Sequence, residues 1–160
     1  MIMKKIIMPL IAFITIFLSN CDDYNRKAMN KEIAKWLTSY DIPIDSNGTS
    51  YYIVIPEFSC SGCVQKTWEF IYDNNIDKQK KLIFLDAYCK GEDPFVKTIA
   101  CKIYVDSCNV IENSPIQFAN PTIIKTIEGN VQYIVSLQAN KIEEMLYEQL
   151  CKDNKGTPTM

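Results

Sequence analysis

The chain has 160 residues, 48% of them hydrophobic, and its 17 Lys and Arg against 19 Asp and Glu leave a net charge of −2. So mild a balance, with no basic patch interleaved with aromatics, gives no footing for nucleic-acid binding. The chain contains no histidine, which excludes Cys–His and Ser–His catalysis, His-ligated zinc and haem with a His axial ligand.

Lys4 and Lys5 form a short positive n-region, and the run from Ile6 to Leu18 is apolar throughout. At about 13 residues that run is too short to span a bilayer of roughly 30 Å as a helix, and has the length of a signal-peptide h-region. Leu18-Ser19-Asn20-Cys21 follows directly and resembles a lipobox, the motif at which lipoprotein signal peptidase cuts. The resemblance implies a signal peptide over 1–20 and an acylated Cys21 that holds the chain on a lipid bilayer. The alternatives are an uncleaved anchor or an ordinary secretory signal. Asp22-Asp23 after that cysteine resembles acidic signals that sort some bacterial lipoproteins, including outward to the cell surface. Residues 21–45 then read as a tether and a leader helix.

Within that leader, Ile33, Trp36 and Leu37 recur at helical spacing and predict an amphipathic helix over Lys27–Tyr40. Asp41–Ser50 holds Pro43 and the Asn47-Gly48 turn signal and reads as a loop. Tyr51–Pro56 is hydrophobic on both faces, as a buried parallel strand requires. Val64–Tyr72 reads as a helix presenting Val64, Trp68 and Ile71, and Lys81–Tyr88 as a second buried strand. Pro94–Ala100 is expected to be a short helix with Phe95, Ile99 and Ala100 inward, followed by a strand over Lys102–Val105 and an irregular Asn109–Ala119. Pro121–Ile127 and Val131–Leu137 are two strands joined by Glu128-Gly129-Asn130. Lys141–Leu150 closes the domain as a helix with Ile142, Met145, Leu146 and Leu150 on one stripe, and a polar tail follows. Strand–helix–strand units followed by a hairpin and a last helix imply a mixed sheet with helices on both faces.

Cys60-Ser61-Gly62-Cys63 sits where a buried strand turns into a helix. There the first sulfur lies beside unpaired backbone N–H groups and the positive end of the helix dipole. Both favour thiolate, so Cys60 is expected to carry a lowered pKa and to act as nucleophile. Cys63, one turn in, is expected to be more buried and to resolve a mixed disulfide by attacking Cys60. Ser61 and Gly62 are small enough to let a substrate chain approach.

Asn120-Pro121-Thr122 opens the strand before the hairpin, and with the strand–CxxC–helix order the chain resembles the thioredoxin-like superfamily over roughly residues 45–150. The element order is most similar to its TlpA-like and redoxin-type lipoprotein branch. The resemblance implies an α/β thioredoxin-like domain over 46–151, with 152–160 as polar tail. It also implies a cis bond before Pro121, which presents no N–H to the sulfurs, at a cost of about 0.5–1 kcal/mol. Asn120 backbone pairing with a bound substrate strand, and Asn120, Pro121 and Thr122 as the docking wall, follow from the same resemblance. The chain departs from the family at two places. Phe58-Ser59 stands where a tryptophan is usual, and Val54 stands where thioredoxin has a buried acid, leaving Glu57 as the nearest candidate for that part. The peroxiredoxin Pro-x-x-x-Thr/Ser-x-x-Cys pattern is not present in Phe58-Ser59-Cys60-Ser61-Gly62-Cys63.

Of the remaining thiols, Cys89, Cys101, Cys108 and Cys151 allow three pairings if Cys60–Cys63 is one bridge. A Cys89–Cys101 bridge would staple the short helix, Cys108 would be structural or a relay thiol, and Cys151 would be free. The expectation is a membrane-tethered, extracytoplasmic thiol–disulfide oxidoreductase needing no cofactor or metal. Its partners would be protein thiols and disulfides or a membrane electron donor. It would face the periplasm or lie at the cell surface, on the outer rather than the inner membrane. The alternatives are a non-catalytic binding lipoprotein whose CxxC is a structural disulfide, and a soft-metal site for copper(I) or zinc.

Overall fold

A computed structural model of the protein describes residues 27–88 and 99–152. Helix α1 covers 27–39 and buries Ile33, Trp36 and Leu37, the stripe that the spacing predicts. It ends at Asp41, which turns left-handed at φ 53°. The Ile42 N–H reaches back to the Leu37 carbonyl at 2.8 Å, folding Ile42 onto the core.

Strand β1 (Thr49–Ile55) is the centre of a five-stranded sheet of order β3-β2-β1-β4-β5. It pairs in parallel with β2 (Leu82–Asp86) and antiparallel with β4 (Thr122–Ile127). The outer strands are β3 (Lys102–Val105), parallel to β2, and β5 (Asn130–Ser136), antiparallel to β4. Successive side chains of a strand point to opposite faces, and here both faces are covered. Tyr51, Ile53 and Ile55 of β1 join Leu82, Phe84 and Ile123 under helix α2 (Ser61–Asp73) and helix α4 (Ile142–Leu146). Tyr52, Val54, Ile83, Leu85 and Ile124 pack under α1. Burial on both sides is why these strands read as unbroken apolar runs. Trp68 of α2 is fully buried and stacks on Phe84 with ring centroids 4.1 Å apart, fixing α2 to the sheet.

Helix α3 (Ile76–Gln79) is one turn that delivers the chain to β2. The β4–β5 hairpin closes through Glu128 (φ 51°) and Gly129 (φ 75°), both left-handed as a two-residue primed turn requires. The connection is thus one residue shorter than expected, because Asn130 already pairs with Ile127. The closing helix is α-helical only to Leu146 and then widens into a π-type turn over Tyr147–Cys151, with Leu150 still buried.

Of the expected helix over Pro94–Ala100, only Ile99 and Ala100 are described, and neither is helical. Ile99 is buried as expected, but Ala100 is exposed, and its N–H donates to the Asp77 carboxylate at 2.8 Å. The leader with Cys21, the acidic pair, Cys89 and all of the tail beyond Lys152 lie outside the described residues. Among the described residues no helix is long and apolar enough to cross a membrane.

Candidate functional site: a dithiol at a helix N-terminus

The site begins where the chain leaves β1. Pro56 is buried, and the Ser59 N–H donates to the Pro56 carbonyl at 3.1 Å, closing a four-residue turn. The Glu57 N–H donates to Oε1 of Glu112, 3.0 Å away on the long connection between β3 and β4. The turn so fastened sends Phe58 outward, 83% exposed, and Ser59 inward, 6% exposed. Among the described residues the buried Ser59 hydroxyl has no hydrogen-bond partner. Local free energy favours the reverse arrangement. Burying a phenylalanine is worth roughly 1.5–3 kcal/mol, and a buried unpaired hydroxyl costs about 1–3 kcal/mol.

Cys60 follows as the N-cap of α2, its carbonyl accepting the N–H groups of Cys63 (2.9 Å) and Val64 (3.0 Å). Its side chain is exposed and its thiol free. The first turn of this 13-residue helix carries no acidic residue, so the positive end of its dipole is unneutralised. The Cys63 thiol first, then the backbone N–H groups of Cys63 and Gly62, favour the Cys60 thiolate and hold its pKa below the ordinary value. Cys63 is the opposite case. It is 1% exposed, and burial, then the thiol and charge of Cys60, push its pKa up to about 11, against a small lowering by Lys66. Two adjacent thiols are thereby driven apart in acidity, the outer toward thiolate and the inner toward thiol. That is the arrangement in which one sulfur attacks and the other waits.

Asn120, Pro121 and Thr122 arrive from the other side of β1. The register sets Thr122 opposite Val54, so Pro121 comes level with Ile55, at the sheet end from which the chain runs to Cys60. Thr122 is buried and its hydroxyl donates to the Asn120 carbonyl at 2.9 Å. The Pro121 carbonyl accepts the Leu137 N–H at 2.8 Å. The expected cis bond is not found: no peptide bond among the described residues is cis. The trans form is the intrinsically favoured one, and the hydrogen bonds on either side of Pro121 are made with it.

Val54 belongs to the face under α1, away from the CxxC helix, so an acid at that position of this chain would not face Cys63. Glu57 is tied through its backbone to Glu112. The carboxylate on the correct face is Asp86, which sequence reasoning missed. It ends β2, pairs with Ile55, and shares the face of Phe84 and Leu82 under α2. It is 1% exposed, and its Oδ1 accepts the Tyr88 N–H at 3.0 Å. An acid closing an otherwise apolar strand was the available signal, but its pairing with β1 was not.

Of the cysteines whose pairing the sequence left open, Cys101, Cys108 and Cys151 all carry free thiols, and Cys89 lies outside the described residues. Cys101 is pushed up to about 12, by burial and then by Asp77, and so is kept protonated. Cys108 is exposed beyond the end of β3, with the Ser107 hydroxyl 3.9 Å from its sulfur. Among the described residues no three Cys, Asp or Glu side chains gather as a metal site.

No protein-family model matches the chain, and no curated protein matches it.

Proposed function

We propose that the protein is a thiol–disulfide oxidoreductase on a thioredoxin-like domain, tethered outside the cytoplasm through an acylated Cys21. The observation that carries the reading is the split in acidity between exposed Cys60 and buried Cys63 at one helix N-terminus. Support for the fold assignment comes from the strand–CxxC–helix–strand order within a mixed sheet, followed by a hairpin and a closing helix.

In the reducing direction the Cys60 thiolate attacks one sulfur of a substrate disulfide. The substrate's other sulfur leaves as a thiolate and takes a proton from solvent. Cys63 then gives up its proton and attacks Cys60 of the mixed disulfide, releasing the second substrate sulfur as a thiolate, which takes a proton from solvent. Cys60 and Cys63 are thereby oxidised to a disulfide and the substrate is reduced to a dithiol. Asp86, buried on the same face, is the acceptor for the Cys63 proton. Asn120 and Pro121 border the path by which the substrate reaches Cys60. Partners are protein thiols and disulfides, or a membrane electron donor that resets the pair.

The test is equilibration of the full-length chain in graded thiol buffers, with alkylation and peptide mass spectrometry of each cysteine. A midpoint between roughly −270 and −120 mV for Cys60–Cys63 is expected of a working exchanger. One below about −300 mV marks a structural bridge and overturns the proposal. Cys60→Ser is expected to abolish exchange, and Cys63→Ser to accumulate mixed disulfides with partners.

A further inference from the structure

We propose that Phe58 is the substrate-gripping side chain of the dithiol site, selecting disulfides in extended polypeptides that carry an apolar neighbour over small-molecule disulfides. The inference deepens the oxidoreductase reading and rests on it.

The observations are local and converge on one side chain. Phe58 is the most exposed large hydrophobic side chain of the described residues, and it stands two positions before the nucleophile. Its exposure is not the looseness of a frayed loop. The turn that carries it is closed by the Ser59 N–H on Pro56 and latched to the body of the domain by the Glu57 N–H on Glu112. The next residue, Ser59, is turned inward with its hydroxyl unpaired. A chain that buries the serine and exposes the phenylalanine departs from local preference, and such departures concentrate where a site requires them. The backbone that carries the ring, two residues before the nucleophile, is thus fixed before any substrate arrives, which lowers the ordering cost of binding.

The reach of the ring defines the substrate class. Successive Cα atoms lie about 3.8 Å apart, so a side chain two residues from Cys60 meets groups that lie several ångströms from the disulfide under attack. A half-cystine in an extended chain carries its next side chains about 3.3–7 Å along the strand. A small disulfide such as 2-hydroxyethyl disulfide has nothing there. Cys60, Ser61 and Gly62 are all exposed, so the approach is open to a chain running across the helix N-terminus. The exchange step itself is unchanged: Cys60 forms the mixed disulfide, the substrate thiolate leaves and is protonated by solvent, and Cys63 completes the two-electron transfer.

The test compares the full-length protein with Phe58→Ala and Phe58→Leu on two probes. One is a synthetic cystine peptide with leucines flanking its disulfide, the other 2-hydroxyethyl disulfide. Phe58→Ala is expected to lower kcat/KM for the peptide about tenfold, mainly through KM, and to change the small probe less than about twofold. Phe58→Leu is expected to restore most of the peptide rate, and the rate of Cys60 alkylation is expected to be the same in all three proteins. Equal losses on both probes, or no loss on either, overturn the inference and leave the oxidoreductase reading standing. Weakened binding of Phe58→Ala to phosphatidylglycerol vesicles with unchanged exchange makes Phe58 a membrane contact, which also overturns it. No exchange by the wild-type protein with either probe overturns both.

Discussion

Alkylation of the two site thiols as a function of pH reads the asymmetry of the pair directly. With its pKa at about 11, Cys63 is about 0.1% thiolate at pH 8. Cys60, held below the ordinary value of 9.0, exceeds about 9% at the same pH. Ionisation alone therefore favours Cys60 by about 100-fold or more. The more basic Cys63 thiolate is intrinsically the better nucleophile, by about eightfold over two pKa units at a Brønsted slope of roughly 0.45. The net preference is about tenfold or more before burial of Cys63 is counted. The assay is a short iodoacetamide time course on the reduced chain, acid-quenched, with singly modified peptides counted by mass spectrometry. As pH rises, the Cys60 rate should level off once it passes a pKa below 9.0, while that of Cys63 climbs about tenfold per unit toward pH 11. The Cys60 preference must therefore shrink with pH. A ratio near one at pH 8, or a preference that does not change between pH 7 and 10, would refute the reasoning.

Asp86→Asn should leave the initial alkylation rate of Cys60 unchanged but slow the second step, so that mixed disulfide accumulates in quenched-flow exchange. An unchanged rate of resolution would remove Asp86 from the mechanism. Trp68→Ala deletes a fully buried ring stacked on Phe84. A loss of about 3–5 kcal/mol in urea unfolding is expected, a large part of the roughly 5–15 kcal/mol of an ordinary domain. A loss under 1 kcal/mol would show that Trp68 does not secure α2 to the sheet.

Much of the architecture was legible because it repeats at short range. The spacing of Ile33, Trp36 and Leu37 announces α1, and Val64, Trp68 and Ile71 announce α2, because a helix brings those positions to one side. The apolar runs of β1 and β2 announce strands covered on both faces, and the sheet is covered by α1 on one face and by α2 and α4 on the other. The position of Cys60 at the start of α2 was legible for the same reason, since a buried strand and an amphipathic helix leave room between them only for a short turn. The hairpin was legible from Glu128-Gly129, and its length was misjudged by one residue because pairing of Asn130 with Ile127 depends on strand register.

What stayed hidden depends on residues far apart in the chain. Counting back from Cys60 selects Val54, yet alternation along β1 turns that side chain toward α1. The acid that does lie under α2 is Asp86, brought beside Ile55 by parallel pairing across 31 positions of sequence. The trans bond at Pro121 and the free thiol of Cys101 are likewise products of their surroundings.

The sequence by itself determined the α/β class of the fold, the order of its strands and the pair of thiols at a helix start, because hydrophobic periodicity and chain direction are local properties. Only the tertiary structure decided which carboxylate lies on the sheet face under α2, that Glu112 latches the turn before Cys60, and that Phe58 points to solvent while Ser59 is buried. Those outcomes follow from strand register and from a hydrogen bond spanning 55 residues, and register is settled when the whole sheet assembles.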